Sequence, residues 1–206
     1  AQMYMGNIPA VFRVAAQAVV ATGMENGAIA EIGCASGYYY EVLEHLLGHK
    51  IHYTGIDYSE ALITQAQREY PGVPFFIGDA THLPFDDESY DVVISGCVLL
   101  HLQKYEKAIA ETARIARSWC IFHRTPVFLH GQTTYLSKLA YGAPVVEIVF
   151  SEQELLTLFA KYELKTVSQF FIGNHKLSAL KKQVYIKTYV CKRLTTSLEQ
   201  KGLNNG

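Results

Sequence analysis

The sequence predicts an α/β fold, with a doubly wound and mostly parallel sheet covered by helices on both faces. Three observations predict it. Short runs rich in β-branched and aromatic residues alternate with segments whose apolar residues recur at helical spacing. Several of those runs, such as Asp91-Val92-Val93-Ile94-Ser95, are apolar throughout their centre, as strands covered on both sides are. The 206 residues, half of them apolar and 18% charged, suffice for one well-buried core and are too few for two ordinary domains.

Taken in order, Ile8 to Ala21 is apolar but carries Arg13 and Gln17, which fits an amphipathic helix better than a leader peptide. Ala28 to Gly33 is a first strand, and Tyr38 to Leu47 a helix stopped at Gly48. Ile51 to Asp57 is a second strand; Ser59 then caps a helix reaching the Pro71 region. Phe75 to Ile77 and Asp91 to Ser95 are the third and fourth strands. Leu102, Tyr105, Ile109, Thr112 and Ala116 share one helical stripe, and Trp119 to His123 is a fifth strand.

Thr125 to Pro144 has no clean period and holds Pro126, Gly131, Gly142 and Pro144, so it reads as a long irregular connection of the kind that covers ligands. Ser151 with Glu154 three residues on is a capping box opening a helix to about Lys161. Two β-rich runs follow, Leu164 to Ile172 and Gln183 to Cys191. The polar stretch from Thr195 to Gly206 reads as a frayed tail. One domain over 1–194 is expected, beginning at Ala1 in a way compatible with further chain upstream.

Composition narrows the function. Lys plus Arg number 18 against 19 acidic residues, a balance without the excess positive charge that holds nucleic acid through counterion release. Lys176, Lys181, Lys182 and Lys187 read as a solvated face. Cys34, Cys97, Cys120 and Cys191 have no metal-ligand spacing, so no metal is expected and they read as reduced thiols of a cytoplasmic protein. No run approaches the roughly 18 apolar residues that span a bilayer.

The chemistry begins at the first strand-to-helix turn, Glu31-Ile32-Gly33-Cys34-Ala35-Ser36-Gly37. Its glycines permit a tight bend and close approach of a ligand, and the helix start offers unpaired amide donors. Asp57 closes the second strand, where a carboxylate can accept both hydroxyls of a ribose or simply cap the next helix. The third element is Gly78-Asp79-Ala80-Thr81-His82-Leu83-Pro84-Phe85-Asp86-Asp87-Glu88-Ser89-Tyr90-Asp91-Val92-Val93-Ile94-Ser95. With the two preceding elements, it resembles the signature of class I S-adenosylmethionine-dependent methyltransferases, in the type 11 or ubiquinone-biosynthesis-like subgroup. The resemblance runs from Ala28 to about Arg117.

That resemblance implies a Rossmann-like, seven-stranded sheet ending in an antiparallel hairpin. It implies a cofactor half at about 25–124 and an acceptor or lid region at about 125–150. Glu31, Gly33 and Gly37 would form the loop around the methionine portion and ribose. Asp57 would hold the ribose hydroxyls, Tyr58 would stack near the adenine, and Asp79 with the Ala80 amide would take the adenine edge. Ser95, Gly96 and Cys97 would line the sulfonium face. Ala35 stands where many members have glycine, a change tolerable if its φ stays negative. Ile115-Ala116-Arg117-Ser118-Trp119 replaces the family's Leu-Lys-Pro-Gly-Gly turn, which leaves the register of the fifth strand open.

The expected activity is methyl transfer to the O, N or C atom of a small-molecule acceptor. S-adenosyl-L-methionine would be the cofactor and S-adenosyl-L-homocysteine the product. His101 is the candidate base, with capping as its alternative. His123 and Arg124 end the fifth strand on the same side; Arg124 could clamp an acidic acceptor or pair with Glu147. Tyr135, Tyr141 and Glu147 fall in the covering segment, and one or two of Tyr38, Tyr39 and Tyr40 should face the ligand. Two further readings are an NAD-dependent oxidoreductase, whose full Gly-x-Gly-x-x-Gly turn is lacking, and a catalytically silent module of the same fold.

Overall fold

The structure is a computed structural model and describes residues 8–140 and 143–194. The tail expected at 195–206, Tyr141 and Gly142 lie outside the described residues. The element order is α1 (Ala10–Val20), β1 (Ala28–Ile32), α2 (Tyr38–Leu47), β2 (His52–Asp57), α3 (Glu60–Glu69), β3 (Phe75–Ile77) and β4 (Tyr90–Gly96). A 3-10 turn over Leu99–His101 leads to α4 (Tyr105–Ile115) and β5 (Ala116–Phe128). Then come β6 (Thr134–Ala140), β7 (Ala143–Ser151), α5 (Glu152–Lys161), β8 (Leu164–Leu177) and β9 (Lys182–Arg193).

The sheet runs β3-β2-β1-β4-β5, all parallel, and continues through antiparallel β9 and β8. That is the expected seven-stranded path with its C-terminal hairpin. Apolar side chains pack on both of its faces. One cluster joins Ala30, Val93, Cys120 and Phe122 to α4 and α5 through Ile109 and Phe159. The other joins Ile29, Val92 and Ile121 to α1, α2 and α3 through Ala18, Leu43 and Ile63. Successive strand residues alternate between the clusters, as a strand buried on both faces requires. Ser59 Oγ accepts from the Leu62 amide and Ser151 Oγ from the Glu154 amide, so both N-caps form. The capping box expected at Ser151 is only half made: the Ser151 amide donates to Thr133 Oγ1, and Glu154 Oε2 accepts from that hydroxyl.

The segment expected to be irregular is not. β5 runs on to Phe128, and β6 with β7 forms an antiparallel hairpin, bringing the sheet to nine strands. Pro126 is tolerated because it falls between the last β5 residue paired with β4, His123, and the first paired with β7, Val127. On that edge of β5 no strand awaits its missing N–H. The hairpin escaped notice because Tyr135 and Leu139, on its outer face, are exposed and apolar, which erases the period-2 signal. Since β5 outruns β4, β7 takes β4's place beside it and stands as a wall over the 3-10 turn.

Candidate active site

The carboxyl ends of the parallel strands share one rim. Ile32 is level with Ile56 and with Ser95, and Asp57 is level with Ile77. Asp57 and Asp79 therefore stand on the same side of the sheet, with Asp79 two residues past the end of β3.

The first turn is bent as its glycines demand. Gly33 has φ 80°, and a Cβ there would lie 2.1 Å from Val98 Cγ2; Gly37 has φ 79°, and a Cβ would lie 2.6 Å from the Phe75 ring. Neither position admits a side chain. Ala35 corrects the sequence reading: its φ is +50°, in the left-handed region, so it bears strain that the family's glycine would not. A hydrogen bond compensates, with the Ala35 amide donating to Asp57 Oδ2 at 3.0 Å. The Ser59 amide donates to Asp57 Oδ1 at 2.9 Å. The structural role weighed for Asp57 is therefore formed: the carboxylate ties the first turn to the start of α3, and each oxygen keeps a second lone pair. The neighbouring Tyr58 is 84% exposed.

Glu31 is 1% exposed and accepts a hydrogen bond from Tyr53 Oη. A Cβ on Gly96 would come 2.6 Å from Glu31 Oε1, so Gly96 is glycine because the carboxylate lies against the end of β4. Burial raises the Glu31 pKa to about 8; the Tyr53 hydroxyl opposes this and the Asp57 charge adds to it. No cation among the described residues neutralises it. A buried carboxylate without a counter-ion, beside an open rim, suits a ligand that brings positive charge.

At the end of β3, Asp79 Oδ1 accepts from the Thr81 amide and hydroxyl at 2.8 and 2.9 Å. These bonds, the backbone one first, hold the carboxyl below its ordinary pKa and turn Oδ1 inward, leaving Oδ2 for a ligand. Ala80 is buried against the core with Leu83. The loop after it is fixed by Arg114 of α4, which spans Glu111 Oε1 at 2.7 Å, Asp87 Oδ1 at 2.9 Å and the carbonyls of Phe85 and Leu83 at 2.7 and 3.1 Å. Glu111 Oε2 in turn takes the Leu83 amide at 2.7 Å. The sequence reading passed over Arg114, although an Arg three residues after a Glu on a helix is a visible pairing signal.

At the end of β4, Ser95 is buried, while Cys97 has φ 60° and donates its amide to the His123 carbonyl at 3.0 Å. His101 is exposed at the end of the 3-10 turn, with Nδ1 3.1 Å from the Val146 carbonyl. Because that oxygen can only accept, Nδ1 is the donor, and in the neutral ring the lone pair is then on Nε2.

His123 is placed otherwise than expected. It is 2% exposed, with Nε2 3.0 Å from Tyr39 Oη and Nδ1 2.8 Å from Thr188 Oγ1. Burial, assisted by the Arg124 charge, holds its pKa down to about 3. With both nitrogens engaged inside the core, it is a structural residue rather than one that meets an acceptor. Arg124, its neighbour, is exposed at φ 59° and makes no ion pair with Glu147 or with any other described residue. Of the tyrosine triplet, Tyr39 is buried on His123, Tyr40 packs on Tyr53 and Tyr70, and Tyr38 is exposed. Tyr53 and Thr188 could not have been singled out in advance, since each acts through a residue distant in sequence.

A family described as a methyltransferase domain matches residues 30–122. A phthiotriol/phenolphthiotriol dimycocerosates methyltransferase of Mycobacterium tuberculosis is 35% identical over 91 residues, 43% of this chain and 33% of that protein. An arsenite methyltransferase of Mus musculus is 29% identical over 146 residues, 64% of this chain and 36% of that protein. The matched stretch thus spans about a third of the length of these curated relatives. Among solved structures, the Burkholderia thailandensis 1,6-didemethyltoxoflavin-N1-methyltransferase with bound S-adenosylhomocysteine superposes with a TM-score of 0.66 at 16% identity, covering 90% of this chain and 79% of that one. The cyclase SpnF superposes with a TM-score of 0.67 at 15% identity, covering 88% and 81%. The strand order and these likenesses lead to one conclusion: residues 30–122 are similar to a methyltransferase domain, and most of the chain shares its fold with solved structures of that kind.

Proposed function

We propose that the chain transfers a methyl group from S-adenosylmethionine to a small-molecule acceptor by in-line displacement. The observation that carries this is Glu31, a buried carboxylate with no cation beside it among the described residues, on the same rim as Asp57 and Asp79. The relatives named as methyltransferases support it, and nothing supports the oxidoreductase reading.

The bound cofactor supplies an electrophilic methyl on a positive sulfur. Asp57 offers its remaining lone pairs to the ribose hydroxyls, Asp79 Oδ2 and the Ala80 amide take the adenine edge, and Tyr58 covers the ring. Gly33, Ala35 and Gly37 let the backbone come close to the methionine portion. Ser95, Gly96 and Cys97 floor the space beside the sulfur. His101 Nε2 takes the proton from an acceptor hydroxyl or acidic carbon, its ring held by Val146. The β6–β7 wall restricts water on the acceptor side. The near-even charge balance favours a metabolite over a nucleic acid, and no described helix is long and apolar enough to cross a membrane.

Calorimetry tests the cofactor half. S-adenosylhomocysteine should bind where NADH does not, and Asp57→Ala should weaken that binding by about 1–3 kcal/mol, the scale for charged hydrogen bonds. Unchanged affinity would remove Asp57 from the site. His101→Ala should lower turnover and leave affinity for the cofactor product nearly intact; unaltered turnover would exclude His101 as the base. A second reading, a module of this fold that does not methylate, is favoured by the likeness to a structure named as a cyclase. Cofactor binding without methyl transfer to any acceptor offered would select it.

A further inference from the structure

Between Phe122 and Thr125 the β5–β9 ladder slips: Phe122 is opposite Tyr189, yet Thr125 is opposite Lys187, so His123 and Arg124 share one partner, Thr188. This is a β-bulge, which adds one residue to the strand, bends it and re-aims the side chains at that point. His123 goes into the core, clamped between Tyr39 Oη and Thr188 Oγ1. Arg124 goes out, at φ 59°, a conformation that a non-glycine residue holds only when its surroundings impose it. The bulge lies level with the end of β4, since Gly96 pairs with His123 and the Cys97 amide bonds the His123 carbonyl.

The surface near Arg124 is aromatic, since Tyr39 Oη lies 3.0 Å from Nε2 of the adjoining His123 and Tyr38 precedes Tyr39. Tyr38 is exposed at the start of α2, with Phe12 of α1 edge-on to it at 5.9 Å and Tyr39 at 4.9 Å. Burial, with the Glu31 charge adding to it, raises the hydroxyl pKa of both tyrosines, and the Arg124 charge opposes that rise, so both charges lie within electrostatic reach of them. Among the described residues Arg124 has no carboxylate partner.

We propose that Arg124 and the Phe12–Tyr38 aromatic surface form an acceptor subsite for a small planar molecule bearing an oxyanion, held in place by the Tyr39–His123–Thr188 clamp. The acceptor's negative charge faces the guanidinium fork, and its plane lies on the tyrosine side. This inference rests on the methyltransferase reading for the identity of the cofactor, but the anion preference belongs to the chain itself.

Fluorine NMR titration of 4-fluorobenzoate and of the isosteric, uncharged 4-fluorobenzamide tests it, with and without S-adenosylhomocysteine. The benzoate should bind at least tenfold more tightly than the amide. Arg124→Gln should reduce that ratio to within about twofold, and Arg124→Lys should retain part of it. Thr188→Val, which releases the clamp while leaving Arg124 in the chain, should also reduce the ratio. Equal binding of the two probes, a preference that survives Arg124→Gln, or no binding of either probe would overturn the proposal. Failure of S-adenosylhomocysteine to bind would instead count against the cofactor reading, since the probe ratio is read without it as well.

Discussion

Among single residues, Ala35 shows how a sequence motif can mislead. Glycine, alanine and serine in a bend look interchangeable on paper, yet the Ala35 amide reaches Asp57 only at φ +50°. Ala35→Gly should therefore stabilise the fold by about 0.5 kcal/mol: the left-handed penalty of roughly 1–2 kcal/mol is relieved, less the roughly 0.5–1 kcal/mol that glycine's greater freedom costs. A rise in the urea midpoint at unchanged slope would show it, and a lower midpoint would refute the strain. The bend at Gly33 and Gly37 and the strand-end positions of Asp57 and Asp79 were legible because they follow from residue type and strand boundaries. His123 was not. Adjacent strand residues face opposite sides of the sheet, but which side is closed at a strand end is set by packing from distant elements, and the bulge that re-aims the strand here leaves no local mark in the sequence.

Among the elements, the strands and helices of the first half follow the sequence within a residue or two, because fully apolar runs and capped helices announce themselves. The second half was less readable where outer-face positions are apolar, as at Tyr135 and Leu139. The loop from Asp79 to Asp87 shows how an element without regular structure is fixed from a distance. Arg114 donates to two carbonyls and two carboxylates across α4 and this loop, a pattern that the planar guanidinium can satisfy and an ammonium cannot. Arg114→Ala should cost about 1–3 kcal/mol of stability, speed hydrogen exchange at the Leu83 amide, and weaken S-adenosylhomocysteine severalfold without touching it. Arg114→Lys should recover little. Full protection of the Leu83 amide in the alanine variant would show that the loop stands without Arg114.

Across the whole molecule, two buried groups give the fold opposing pH dependences. Glu31 has its pKa raised from 4.5 to about 8, mainly by burial. Between those values the folded chain holds a proton that the unfolded chain has lost, so the contribution of Glu31 is full below about pH 4.5 and declines as pH rises towards 8. His123, lowered to about 3 from 6.5, acts in reverse: the unfolded chain takes up a proton first, and stability is lost as pH falls through that window. Glu31→Gln should abolish the alkaline decline, so that the stability difference between variant and wild type grows from pH 5 to 8. A constant difference would mean that Glu31 is ionised in the fold. Affinity for a cationic ligand should rise over the same interval in the wild-type protein as the carboxylate ionises.

The matched family region ends at residue 122, one position before β5 kinks and leaves the company of β4. Upstream lie the residues proposed to hold the cofactor; downstream lie the bulge and the β6–β7 hairpin. The hairpin hangs from the overhanging tip of a strand whose anchored part lies upstream, so it is a separable attachment. Grafting 123–151 onto a distant relative would then exchange the choice of acceptor while leaving the methyl donor as it was.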